Sequence, residues 1–195
     1  MITELTRMWL TRSTKPFLFK NEYDQELPFS DCDGLGLYVH IPFCRSICSF
    51  CPYCKTLYTE EACSRYIDAL IREIHLAGSQ APGKKTVTSL YFGGGTPALA
   101  ADRIKEIIDA IQEHFIITQG IGIELHPENV TPRTLHILKE AGITKLSIGI
   151  QSFQEKFQKL LGRTGADMDP LKAALSQVPF ETVSMDFIFA LPSQT

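Results

Sequence analysis

Four of the chain's six cysteines, Cys44, Cys48, Cys51 and Cys54, fall within eleven consecutive residues. Thiols this dense bind metals or do redox chemistry, and in a reducing compartment they argue against structural disulfides. Cys44-Arg-Ser-Ile-Cys48-Ser-Phe-Cys51 puts three thiolates on one short loop, enough for three corners of an iron–sulfur cube. The fourth iron would then lack a protein ligand and could chelate a small molecule through an amine and a carboxylate. A second reading adds Cys54 to make a four-cysteine zinc or electron-transfer site. A third takes Cys51-Pro-Tyr-Cys54 as a dithiol redox motif of the glutaredoxin kind. The loop by itself leaves all three open. Cys32 and Cys63 read as ordinary small residues.

A second pattern follows at Gly93-Gly94-Gly95-Thr96-Pro97. Glycines remove side chains where a ligand must reach backbone, and they allow a positive φ in a tight turn. Bare carbonyls and amides there could receive an amino acid's ammonium and carboxylate. Taken alone, the run is also what a tight strand-to-helix turn would show.

Both patterns need elements to bring them together. Strands are expected over 35–41, 87–92, 120–125, 144–150 and 182–190. Between them lie amphipathic helices near 60–76 and 102–115, the latter with Ile104, Ile107, Ile108 and Ile111 at helical spacing. Another helix opens with Thr131 as N-cap and Pro132 in its first turn, and Gly142 closes it. Ser152 and Glu155 read as a capping box, and Asp169-Pro170 starts a further short helix. Strand and helix alternating over five strands imply a parallel sheet with right-handed crossovers. In such folds chemistry gathers at the C-terminal ends of strands, where the cysteine loop and glycine run both lie. Residues 1–35 read as a leader beside a core domain at 36–195. The chain stops soon after the fifth strand, so a fragment of a longer protein is expected.

Composition narrows the classes. The 195 residues are 44% hydrophobic and 21% charged, with a formal net charge of −3 and no basic stripe for nucleic acid. No apolar run approaches the roughly 20 residues of a membrane span, and the first residues lack a signal core. The expected compartment is the cytoplasm.

The segments LYVHIPFCRSICSFC and SLYFGGGTP resemble radical S-adenosylmethionine (SAM) enzymes of the oxygen-independent coproporphyrinogen III oxidase group. IELHPENVT, LSIGIQSF, LLGR and MDFIFALPSQT follow in the order that group shows, so the resemblance covers about residues 36–195. It implies an α/β fold, an incomplete TIM-like (β/α)6 barrel of which five parallel strands are present. It also implies a 4Fe–4S cluster on Cys44, Cys48 and Cys51, with SAM chelating the open iron. Tyr38, Phe50, Gly94, Gly95, Thr96, Glu124, Gln151, Arg163 and Asp186 match residues that contact SAM. Reductive cleavage of SAM to a 5′-deoxyadenosyl radical is the implied activity. The implied partners are a tetrapyrrole substrate and a low-potential donor such as flavodoxin or ferredoxin.

Three positions depart from the group. Tyr53 stands where the oxidases carry a cysteine two residues after the third ligand, the extra cysteine here being Cys54. His126 replaces an acid or asparagine, and Ala190-Leu-Pro-Ser193-Gln-Thr replaces GLPGQT. None touches the three cysteines, so they bear on substrate rather than on the radical chemistry. Heme chaperones, anaerobic heme-degrading enzymes and radical SAM methyltransferases share the resemblance. His40 and His126 are expected to be packing or hydrogen-bonding residues.

Overall fold

The computed structural model describes residues 27, 29, 32–81, 83–163 and 167–194. Most of the expected leader lies outside them. Of its described residues, Phe29 is buried against Phe115, with ring centroids 6.0 Å apart.

In chain order the strands are β1 (Gly34–Ile41), β2 (Phe43–Cys44), β3 (Thr56–Leu57), β4 (Lys85–Gly94), β5 (Phe115–Ile117), β6 (Ile121–Leu125), β7 (Ile143–Gln151) and β8 (Thr182–Phe187). The helices are α1 (Glu60–Gly78), α2 (Ala101–His114), α3 (Pro132–Glu140), α4 (Glu155–Leu160) and α5 (Met168–Gln177). The main sheet runs β1-β4-β6-β7-β8, all parallel, with the short β5 beside the start of β4. These five strands are the five expected. The three short ones were not anticipated.

Helices α1, α2, α3 and α5 pack in sequence along one face of this sheet. Right-handed crossovers require that, because every helix must return to the same side. The isoleucine stripe of α2 explains the adhesion: Ile104, Ile107 and Ile111 are essentially inaccessible and share one core with Leu135 and Leu138 of α3. Each such side chain contributes on the order of 1.5–3 kcal/mol by burial. Arg103 ties α2 to α1 at the surface, 2.9 Å from Asp68 of α1, and is held by Glu106 of its own helix at 2.7 Å.

Local signals set most boundaries. Thr59 caps α1 by accepting the Ala62 N–H at 3.2 Å, and Thr131 caps α3 from Thr134 at 3.2 Å. Gly142 turns out of α3 with φ +99°, a conformation open to glycine. Three expectations need correction. Phe115 leaves α2 and starts β5, its backbone already extended. Ser152 does not cap α4: it is buried, accepts the Gln154 N–H at 3.1 Å, and Gln154 is the residue at the helix start. β8 ends at Phe187 rather than Ala190, whose φ of +60° breaks the strand.

Candidate cofactor site

Beyond the C-terminal ends of β1, β4, β6, β7 and β8 the chain encloses a cavity of about 470 Å³. Its position follows from topology, since parallel strands deliver their outgoing loops to one rim.

The cysteine loop forms one wall. β2 and β3 pair as a two-rung parallel ladder, and Thr56 and Tyr58 donate to the carbonyls of Pro42 and Cys44 at 2.8 and 2.9 Å. This ladder pinches the neck of residues 45–55 and holds the loop as a closed unit. Ser49 pins its far side to the end of α4, donating from Oγ to Leu160 O at 3.3 Å. Lys55 Nζ reaches back to the Cys51 carbonyl. Cys44, Cys48 and Cys51 all line the cavity, whereas Cys54 is exposed and does not. Cys54 is tied through its backbone, its carbonyl lying 3.0 Å from His40 Nε2. Burial pushes the Cys44 thiol up, and a contact from Thr96 Oγ1 at 4.0 Å opposes that.

The glycine turn forms the adjoining wall and is built onto the cysteine loop. Gly95 N–H donates to Ile41 O at 2.9 Å and Thr96 N–H to Phe43 O at 2.7 Å. A Cβ on Gly95 would sit 2.6 Å from Phe43 O and 2.8 Å from Cys44 Sγ, so no other residue fits unless the backbone moves. Gly94 has φ +126°, and its Cβ would meet Ile41 O at 2.7 Å. The run is therefore more than a turn: its lack of side chains lets the second strand's exit lie against the first's.

Polar side chains close the rest. Glu124, at the end of β6, accepts the Gly94 N–H at 3.2 Å. Burial, with Asp186 nearby, raises its carboxyl above the ordinary value, against the pull of that bond and of Tyr91. Tyr91 itself is pushed up to about 12, chiefly by burial and then by Glu124. Ser147 Oγ donates to Asp186 Oδ2 at 2.7 Å, linking β7 to β8. Gln151 ends β7 with φ +66°, left-handed for a residue with a side chain. Arg163 donates to Gly149 O and lies 5.7 Å over the Phe50 ring, and among the described residues its buried Nε has no hydrogen-bond partner.

All the residues expected to bind SAM line this cavity except Tyr38. Tyr38 lies on the helix-free face, 60% exposed, its hydroxyl 3.1 Å from His40 Nδ1 and its ring over Gly93. His126, expected to pack or hydrogen-bond, lines the cavity, and its ring accepts the Glu128 N–H at 3.3 Å. Burial, and then Arg163, lower its basicity. The sequence signal for it was its place straight after a strand, where the rim must be.

The side-chain-free cradle at Gly95, the Arg163 guanidinium and the three cysteines lining the cavity fit a cluster with a polar small molecule beside it.

Comparison with known proteins agrees with this geometry. A profile of the radical SAM superfamily matches residues 38–195. The heme chaperone HemW of Bacillus subtilis is 32% identical over 81% of this chain and 43% of its own length. Anaerobilin synthase of Escherichia coli O157:H7 is 37% identical over 81% of this chain and 37% of its own. Oxygen-independent coproporphyrinogen III oxidase of Pseudomonas aeruginosa is 31% identical over 83% and 37% respectively. The solved coproporphyrinogen III oxidase of Escherichia coli superposes with a TM-score of 0.76 at 32% identity, over 84% of this chain and 39% of that one. The chain thus spans about two fifths of the length of these relatives. Its sheet is an arc of the (β/α) barrel that this last structure shares. From β1 through β8 the same strands that carry the profile match also carry the cavity, and the chain belongs to the radical SAM superfamily.

Proposed function

We propose that Cys44, Cys48 and Cys51 hold a 4Fe–4S cluster and that SAM binds beside it, against Gly94, Gly95 and Thr96. Such a cluster, when bound and reduced, supplies the electron that cleaves SAM and yields a 5′-deoxyadenosyl radical. The chain's own residues do the positioning. Phe50 stacks near the Arg163 guanidinium and closes the loop side. The carboxylates of Glu124 and Asp186 offer acceptors, and the Arg163 guanidinium, which lines the cavity, offers donors. Gln151 completes that wall with an amide that can do either. The single observation that carries this reading is three cysteines and a Cβ-excluding glycine turn on one cavity.

The relatives' names favour a tetrapyrrole as the molecule acted upon, served by a low-potential donor such as flavodoxin or ferredoxin. Oxidation of coproporphyrinogen III is the first reading. Heme handling without turnover is the second, favoured by the similarity to a heme chaperone and by Tyr53 and His126 at oxidase-specific positions. Heme degradation is the third. Incubating the anaerobically reconstituted protein with SAM and dithionite should give 5′-deoxyadenosine and methionine. Adding coproporphyrinogen III or heme should then raise that yield with one of them and give a modified tetrapyrrole. SAM left intact under reduction would overturn the radical reading, and heme bound without product would select the chaperone.

A further inference from the structure

A second group of metal-binding side chains lies at the other end of the barrel arc. His75, in the last turn of α1, and Glu113 and His114, at the end of α2, place one ligand atom each within 4.8 Å of one another. His75 Nδ1 is 3.0 Å from His114 Nε2 and 3.7 Å from Glu113 Oε2. Both helices end here, so this corner lies near the N-terminal ends of β4 and β5, away from the rim that carries the cysteines.

We propose that His75, His114 and Glu113 form a site for a divalent transition ion of the zinc class, distinct from the cysteine cavity. Two imidazole nitrogens and one carboxylate oxygen are a donor set that zinc, cobalt, nickel and copper(II) accept. With metal–nitrogen bonds near 2.0–2.1 Å a tetrahedral ion needs its two nitrogens about 3.3 Å apart, so the rings must part by only a few tenths of an ångström. The ion replaces the hydrogen now shared between them, each ring carrying its proton on its other nitrogen. Water fills the remaining coordination position.

Two features beyond the donor set fit this assignment. The negative ends of two helix dipoles meet at the site, which favours a cation there. Gly78 is buried under the His114 ring, and a Cβ at that position would come within 2.3 Å of it. The missing side chain at Gly78, the last residue of α1, leaves room for the His114 imidazole, whose Nε2 meets His75. The site's side chains remain reachable, with His75 41% and Glu113 65% exposed. A bound ion would clamp α1 to α2 and stabilise that pair by mass action.

The test titrates Zn²⁺ into the protein with its iron–sulfur cluster already assembled, following heat of binding while iron and sulfide are assayed. One zinc per chain should bind with iron retained, and the melting temperature should rise with zinc concentration. His75→Gln and His114→Gln should each weaken binding by more than about 100-fold, beyond the roughly 10–100-fold typical of losing an outer-sphere partner. Glu113→Gln, at an exposed position that cannot threaten folding, should weaken it less but measurably. Absence of any zinc equivalent beyond the cluster, or an affinity unchanged in Glu113→Gln and both histidine variants, would overturn the proposal. The outcome is independent of SAM cleavage.

Discussion

The helix-covered face of the sheet and its C-terminal rim obey opposite rules. On the covered face, Ile104, Ile107, Ile111, Leu135 and Leu138 follow the helical period, sit in ordinary backbone and are fully buried. At the rim, Gly94 and Gln151 hold positive φ, and Ala190 and Ser193 do so just past β8. Among the described residues a buried guanidinium nitrogen has no partner there, and a carboxyl is held above its usual range. Strain of this kind survives only where surrounding structure over-determines it, and it concentrates where a ligand must be received. One region supplies the stability that the other spends.

Four substitutions sharpen that contrast. Ile107→Ala should cost about 2–5 kcal/mol by denaturant unfolding, from lost burial and a cavity, with SAM affinity unchanged at temperatures where the variant is folded. A loss of SAM binding there would show the two regions to be coupled. Gly95→Ala should cost about 1–3 kcal/mol through the collision with Phe43 O and Cys44 Sγ. Unlike the core variant, it should also abolish SAM binding by equilibrium dialysis. Gln151→Gly should stabilise by about 1 kcal/mol, relieving the left-handed backbone, while weakening SAM.

The fourth is a pH effect at Glu124. Its folded-state pKa lies above its ordinary 4.5, chiefly through burial. The fold therefore favours the neutral carboxyl, and that stabilisation is full below the ordinary value and lost as pH rises through the folded one. At neutral pH the ionised group is a cost. Glu124→Gln should then raise the melting temperature at neutral pH, with the gain shrinking as pH falls toward 4.5. A gain that grows on acidification would contradict the assignment.

The same contrast decides what could be read without coordinates. The α2 stripe and the apolar runs of β1, β4, β6, β7 and β8 were legible, because burial on one face imposes a period on residue type. The three cysteines and the glycine run were legible because few residues can do their work. Cues at element ends were weaker: Ser152-x-x-Glu155 has the letters of a capping box, yet burial turned Ser152 inward and the helix began later. The β2–β3 ladder is only two rungs long, too short for any periodicity. Tyr38 was matched to a SAM contact; its ring lies across Gly93, a pairing between residues far apart in the chain, and its hydroxyl meets His40 two residues on. The surroundings of Arg163 have no local signature, whereas the place of His126 on the cavity could be read from its position straight after β6.

The central claim is that three cysteines ligate the cluster and one iron is left for SAM. Electron paramagnetic resonance of the reduced, reconstituted protein, recorded with and without SAM and repeated on Cys54→Ala, tests it most directly. We expect a 4Fe–4S signal that shifts on adding SAM, identically in the wild type and in Cys54→Ala. Its loss in Cys54→Ala, or a signal indifferent to SAM, would mean that a fourth cysteine closes the cluster and the open corner does not exist.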